Sequence, residues 1–144
     1  MFNQNEQIMK FKSVFVGALL LTFSFSQVMN AQSQKKAEPW PVPANEKSKV
    51  NPVKADDATM QLGMSSWSKN CASCHGKTGL GDGVKGRMGK THPGDFTSTE
   101  FQAFTDGELF YRTKTGRGEM PAFDKKIPEN EIWALVIHMR SFKK

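Results

Sequence analysis

The chain has 144 residues, enough for one domain with extended ends, and its net charge of +6 is a modest basic excess. No basic run is interleaved with aromatics, which excludes a nucleic-acid binder and leaves an acidic partner surface as the chemistry to consider. Both cysteines stand in one short stretch, so no structural disulfide is expected.

The N-terminus reads as a secretory signal spanning residues 1–31. Lys10 and Lys12 form a positive region, and Val14 to Phe25 is an uncharged, almost wholly apolar run. That run is too short to span a bilayer and suits the core of a signal peptide. Cleavage is expected after Ala31 or Ser33, and no cysteine near the cut offers a lipid anchor. Membrane attachment is expected only if the signal stays uncleaved. Glu6 is unusual in a signal, and translation from Met9 would give the more ordinary opening Met9-Lys10-Phe11-Lys12. Export to the periplasm is the expectation.

Residues 32–55 hold Pro39, Pro41, Pro43 and Pro52 among charged and small residues, which predicts an extended linker. Two readings stand: a flexible tether, or a stiff strand whose Trp40 and Val42 pack back over the domain. The domain proper is expected over 56–144. Asp56 or Asp57 can cap a first helix whose apolar positions are Met60, Gly63, Met64, Trp67 and Cys71, one face at steps of three and four.

That helix leads into Cys71-Ala72-Ser73-Cys74-His75, the C-x-x-C-H attachment sequence for a c-type haem. Two thiols three positions apart can each add across a haem vinyl group, and His75 then reaches the iron as proximal ligand. A structural zinc site fails on inventory, because no third cysteine exists. A thioredoxin-like redox motif fails on setting, because the flanks read as helix rather than βαβ. The glycines that follow, Gly76, Gly79, Gly81 and Gly83, lack the strand and Lys-Ser/Thr of a nucleotide loop. They are expected to let the backbone turn tightly beside a flat porphyrin.

Val84 to Phe104 has no clean period and is expected to be irregular, with His92-Pro93-Gly94 as a turn. Thr105-Asp106-Gly107-Glu108 matches a capping box opening a short helix that stops at Gly116. A last helix is predicted from Pro128. Its acidic start (Glu129, Glu131) and basic end (Arg140, Lys143, Lys144) complement the helix dipole, and Ile132, Trp133, Val136, Ile137 and Arg140 make one mostly apolar face. Between these helices, Met120-Pro121-Ala122-Phe123 offers a thioether for the iron's sixth position on a loop stiffened by proline. Met88, His92 and His138 also follow the haem motif and carry ligating atoms. His138 reads as a packing residue of the last helix, and Met60 and Met64 read as core.

C-A-S-C-H-G, the later G-E-M-P-A-F and an aromatic last helix resemble a class I cytochrome c over about Asp56 to Lys144. The resemblance implies an all-α fold of three main helices around one covalently bound haem c. It places Gly63 and Trp67 on the face that crosses the last helix, where Trp67 is expected to meet Trp133. It also places the Pro93 carbonyl against the second nitrogen of His75, while His138 replaces the family's frequent Tyr. Cofactor-binding residues are thus Cys71, Cys74, His75, Pro93 and Met120, with His75 and Met120 on the metal. The function expected is electron transfer by a monomer rather than enzymatic catalysis. Redox donor and acceptor proteins are the expected partners, with Lys85, Arg87, Lys90, Arg117, Lys125 and Lys126 read either as steering an acidic docking surface or as ordinary solvated charges. The alternatives are a haem that binds or senses a small ligand, or an electron-entry subunit of a larger respiratory complex.

Overall fold

The computed structural model describes residues 40–144, so the expected signal and the first part of the proline-rich stretch lie outside the described residues. The described chain enters through Trp40 and a buried Val42, then makes one helical turn, α1 (Ala44–Lys47), with Pro43 at its N-cap. Proline suits that place, where its missing N–H is no loss. This segment is docked along α6 (Asp106–Thr115). Thr105 Oγ1 donates to the Lys47 carbonyl at 2.8 Å, Lys47 pairs with Glu108 at 3.2 Å, and Arg112 and Arg117 lie over the Trp40 ring at 5.6 and 4.8 Å. Asn51 Nδ2 donates to the Trp133 carbonyl. Of the two readings of Trp40 and Val42, the structure has the packed one, within a compact unit that runs from Trp40 to Lys144.

Helix α2 (Asp57–Asn70) opens on Asp56, whose carboxylate accepts from the Thr59 N–H at 3.0 Å, satisfying one of the free donors of the first turn. It is followed by a single turn, α3 (Ala72–His75), and two short helices, α4 (Val84–Met88) and α5 (Thr99–Gln102). The stretch expected to be irregular therefore holds two helices, each too short to print a period on the sequence. Helix α6 has both halves of the capping box: Thr105 Oγ1 accepts from the Glu108 N–H, and Glu108 accepts from the Thr105 N–H. Helix α7 (Glu129–Arg140) starts one residue later than predicted, with Pro128 as N-cap. Among the described residues no strand forms beyond a single bridge between Arg117 and Met120. The fold is all-α, and no described helix is long and apolar enough to cross a membrane.

The most extensive helix pairing is α2 on α7. Gly63 makes it possible: a β-carbon there would lie 2.9 Å from the Ala134 carbonyl carbon and 3.0 Å from His138 Cβ. Gly63→Leu must push two backbones apart, at a cost near the upper end of the usual about 1–3 kcal/mol for overpacking. A denaturation midpoint equal to that of the parent would contradict this crossing.

The tryptophans do not meet as expected. Trp67 packs on Phe96, His138 and Phe142, with ring centres 5.3, 5.6 and 5.0 Å away, whereas Trp133 stacks on Phe110 of α6 at 4.0 Å. Trp133 precedes Ala134 by one position, about 100° around the helix, so its ring turns away from α2. Helix α7 is buried at seven positions, because α2, α6 and the N-terminal segment all rest on it. Met64 stands off the Gly63-Ser66-Trp67 face and is 44% exposed, and Met60 is half-buried, so neither is core. Arg140 closes the far end. Its guanidinium donates to Asp106 and to the Gln102 and Phe104 carbonyls, tying the last turn of α7 to the start of α6.

Candidate haem-attachment site

Cys71 is the joint between α2 and α3. Its N–H donates to the Trp67 carbonyl, and its own carbonyl accepts from Cys74 (3.1 Å) and His75 (3.0 Å). One helical turn therefore sets both thiols and the imidazole in fixed register, the i, i+3 spacing placing the thiols on one side. Both cysteines are free; Cys71 is buried and Cys74 half-buried. Burial pushes the Cys71 thiol up to about 12, with the neighbouring Cys74 adding to it.

His75 is held by aromatic packing, 4.7 Å from Phe96 and 5.8 Å from Trp67 between ring centres. Burial pushes its pKa down to about 4. The imidazole is thus neutral at pH 7, with the lone pair a metal bond requires. The Pro93 carbonyl favours a proton on this ring, and His92 opposes it. Nδ1 itself is buried and makes no hydrogen bond of good geometry. The carbonyl is therefore close enough to bias the ring without closing a bond.

The glycines have structural work of their own. At Gly76 the chain turns out of α3 with φ +79°, and its carbonyl accepts from Trp67 Nε1 at 3.0 Å, pinning the turn to α2. Gly81 N–H donates to the His75 carbonyl and Phe96 N–H to Gly79, which folds the loop back under the imidazole. Gly86 lets α4 lie against the haem motif: a β-carbon there would strike the Cys74 carbonyl and come within 2.6 Å of Pro93 Cγ. Pro93 is thereby brought to the site.

Met120 closes a tight turn with Arg117, each N–H donating to the other's carbonyl at 2.9 and 3.0 Å. The turn is anchored to α6 by Phe123 and Asp124, both donating to Lys114, and Met120 is half-buried. The rivals are placed less suitably. Met88 is 80% exposed at the end of α4. His92 is exposed, with Nδ1 accepting from the Gly94 N–H. His138 is buried between Trp67 and Phe142. Cys71, Cys74, His75 and Pro93 thus form one group, and Met120 stands on a separate loop. Its neighbour Glu119 reaches across to Lys90 and Thr91. Sequence alone gives no sign of the role of Phe96 or of the partners of Glu119. Phe96 follows the noted turn and is apolar; Glu119 binds mainly backbone, which leaves no pattern.

The turn suits a porphyrin-borne iron: two free thiols and a neutral buried imidazole. No group of three or more His, Cys, Asp or Glu gathers among the described residues to hold a bare metal ion.

The family described as cytochrome c oxidase, cbb3-type, subunit III matches residues 58–139. A solved c-type cytochrome, KustC0563, is 31% identical with a TM-score of 0.50, over 57% of this chain and 98% of that one. A chain of the Kuenenia stuttgartiensis reducing HAO-like protein complex is 24% identical with a TM-score of 0.58, a likeness of fold. The match covers 76% of this chain, which spans about half the length of that one, 53%. No curated protein sequence matches the chain. A c-type cytochrome domain implies covalently bound haem c, and the residues at the C-x-x-C-H turn fit it. With its α2–α7 crossing and haem motif inside the matched span, the chain belongs to the class I c-type cytochromes, in the family described as cytochrome c oxidase, cbb3-type, subunit III.

Proposed function

We propose that the protein is an exported, periplasmic single-electron carrier with one haem c, ligated by His75 and Met120. The observation that carries this reading is the buried, neutral His75 on the same turn as both thiols. Bound haem supplies the one-electron Fe(III)/Fe(II) couple. The chain's residues do the rest. Cys71 and Cys74 hold the group covalently, and packing against Phe96 and Trp67 fixes the imidazole's orientation, with the Pro93 carbonyl nearby. Met120 supplies a neutral sulfur that favours the reduced state. Two fixed axial side chains keep rearrangement between oxidation states small.

Lys85, Arg87, Lys90, Arg117, Lys125 and Lys126 are all exposed. Three have intramolecular work: Arg117 lies over Trp40, Lys126 lies over Phe123, and Lys90 faces Glu119. The others are placed to steer an acidic redox partner, an attraction that salt screens.

A second reading, an electron-entry subunit of a larger complex, is favoured by two likenesses: to a family described as an oxidase subunit, and to a chain of the Kuenenia complex. The chain's residues would act identically there.

The exported protein should titrate reversibly with one electron per chain, and the reduced form should take up carbon monoxide slowly or not at all. Its mass should lack the segment up to Ala31 or Ser33 and include one haem. Ready carbon monoxide binding would replace the carrier by a ligand-binding haem. Retention of Val14 to Phe25 would replace the periplasmic form by an anchored one.

A further inference from the structure

We propose that Glu119 is a positioning residue for the sixth-ligand loop, a clamp that holds the turn ending on Met120 against the wall that carries Pro93. This rests on the reading that Met120 ligates the iron.

The Glu119 carboxylate accepts three hydrogen bonds: from the Lys90 N–H at 3.1 Å, the Thr91 N–H at 3.0 Å and the Thr91 hydroxyl at 3.0 Å. Both oxygens are used, one on each of two successive N–H groups, so the carboxylate is fixed in orientation as well as position. Hydrogen bonds to an ionised acceptor are the stronger kind. The partners lie 28 and 29 residues away in sequence, so the clamp joins two loops that local structure does not join.

Each side of the clamp ends on the site. Glu119 immediately precedes Met120, and Thr91 lies two residues before Pro93, whose carbonyl faces His75. The turn's other fastenings reach elsewhere. Phe123 and Asp124 bind it to Lys114 of α6, and Arg117 lies over Trp40 of the N-terminal segment. Glu119 reaches the Pro93 side. Because the clamp is exposed, water competes for it and its share of global stability is small. Its effect is local: it opposes the swing that would take the Met120 sulfur away from the iron.

The test measures the rate at which imidazole binds the ferric holoprotein, which requires Met120 to leave, beside the denaturation midpoint. Glu119→Ala should raise that rate about threefold, the size of one exposed charged contact, with a midpoint drop no larger than that same free energy gives, since the contact is lost on unfolding too. Glu119→Gln should recover part of the effect, since its carbonyl oxygen still accepts. Thr91→Val should raise the rate less, and should add nothing to Glu119→Ala. An unchanged rate in Glu119→Ala, with Met120→Ala fast, overturns the clamp and leaves the ligation standing. A native rate as fast as that of Met120→Ala overturns the ligation and the clamp with it. If Glu119→Ala fails to fold, Thr91→Val decides: a rate equal to the native one overturns the proposal.

Discussion

Cys71→Ser/Cys74→Ser is expected to abolish covalent haem, so that a denaturing gel stained for haem peroxidase activity shows no band. These are the chain's two cysteines, and both are free on one turn. The single variants should differ. Cys71 is buried, and a serine hydroxyl there loses water without a designed partner, at about 1–3 kcal/mol beyond the lost thioether. Cys74 is half-buried, so Cys74→Ser, which like Cys71→Ser keeps one thioether, should keep more of the fold. Three main helices around a small core are marginal without the apolar volume of the porphyrin. The double variant should therefore also lose its cooperative thermal transition. Staining that survives in the double variant would move the attachment elsewhere, and a colourless native protein carrying zinc would sink the haem reading.

Met120→Ala is expected to remove the weak far-red charge-transfer band of sulfur-to-iron ligation, open the reduced iron to carbon monoxide and lower the reduction potential. The drop should be on the order of a hundred millivolts, within the roughly 0.8 V that axial ligands span. Met120→His should also lower the potential but keep the iron six-coordinate, since imidazole supports Fe(III) better than a thioether does. Met88→Leu and His92→Ala should leave the band intact. Met88 projects into solvent at the end of α4, and the His92 ring folds onto the Gly94 N–H. A band that survives Met120→Ala and disappears with Met88→Leu would reassign the ligand without disturbing the carrier reading.

The attachment turn was legible because its chemistry and its geometry are both local. C-x-x-C-H fits one helical turn, and hydrogen bonds within that turn set Cys71, Cys74 and His75 in register. The capping box at Thr105 and Glu108 was legible for the same reason, since both partners lie within four residues. The approach at Gly63 came with the family likeness, and the structure gives its cause in the Ala134 carbonyl.

Long-range choices were not legible. The sequence left Trp40 and Val42 between tether and strap, because proline-rich backbone is extended in either case; Arg112, Arg117 and α6 decide it. It paired Trp67 with Trp133, while one residue of helical phase sent Trp133 to Phe110 instead. It shows Glu119 only as part of G-E-M-P-A-F and hides its partners, two backbone N–H groups and a hydroxyl 28 and 29 residues away. By itself, then, the sequence determined which residues are equipped to hold a haem, since covalent chemistry needs specific residue types at a fixed local spacing. Tertiary structure alone decided which walls hold those atoms still, because backbone donors occur at nearly every residue and only the folded chain selects the ones that meet.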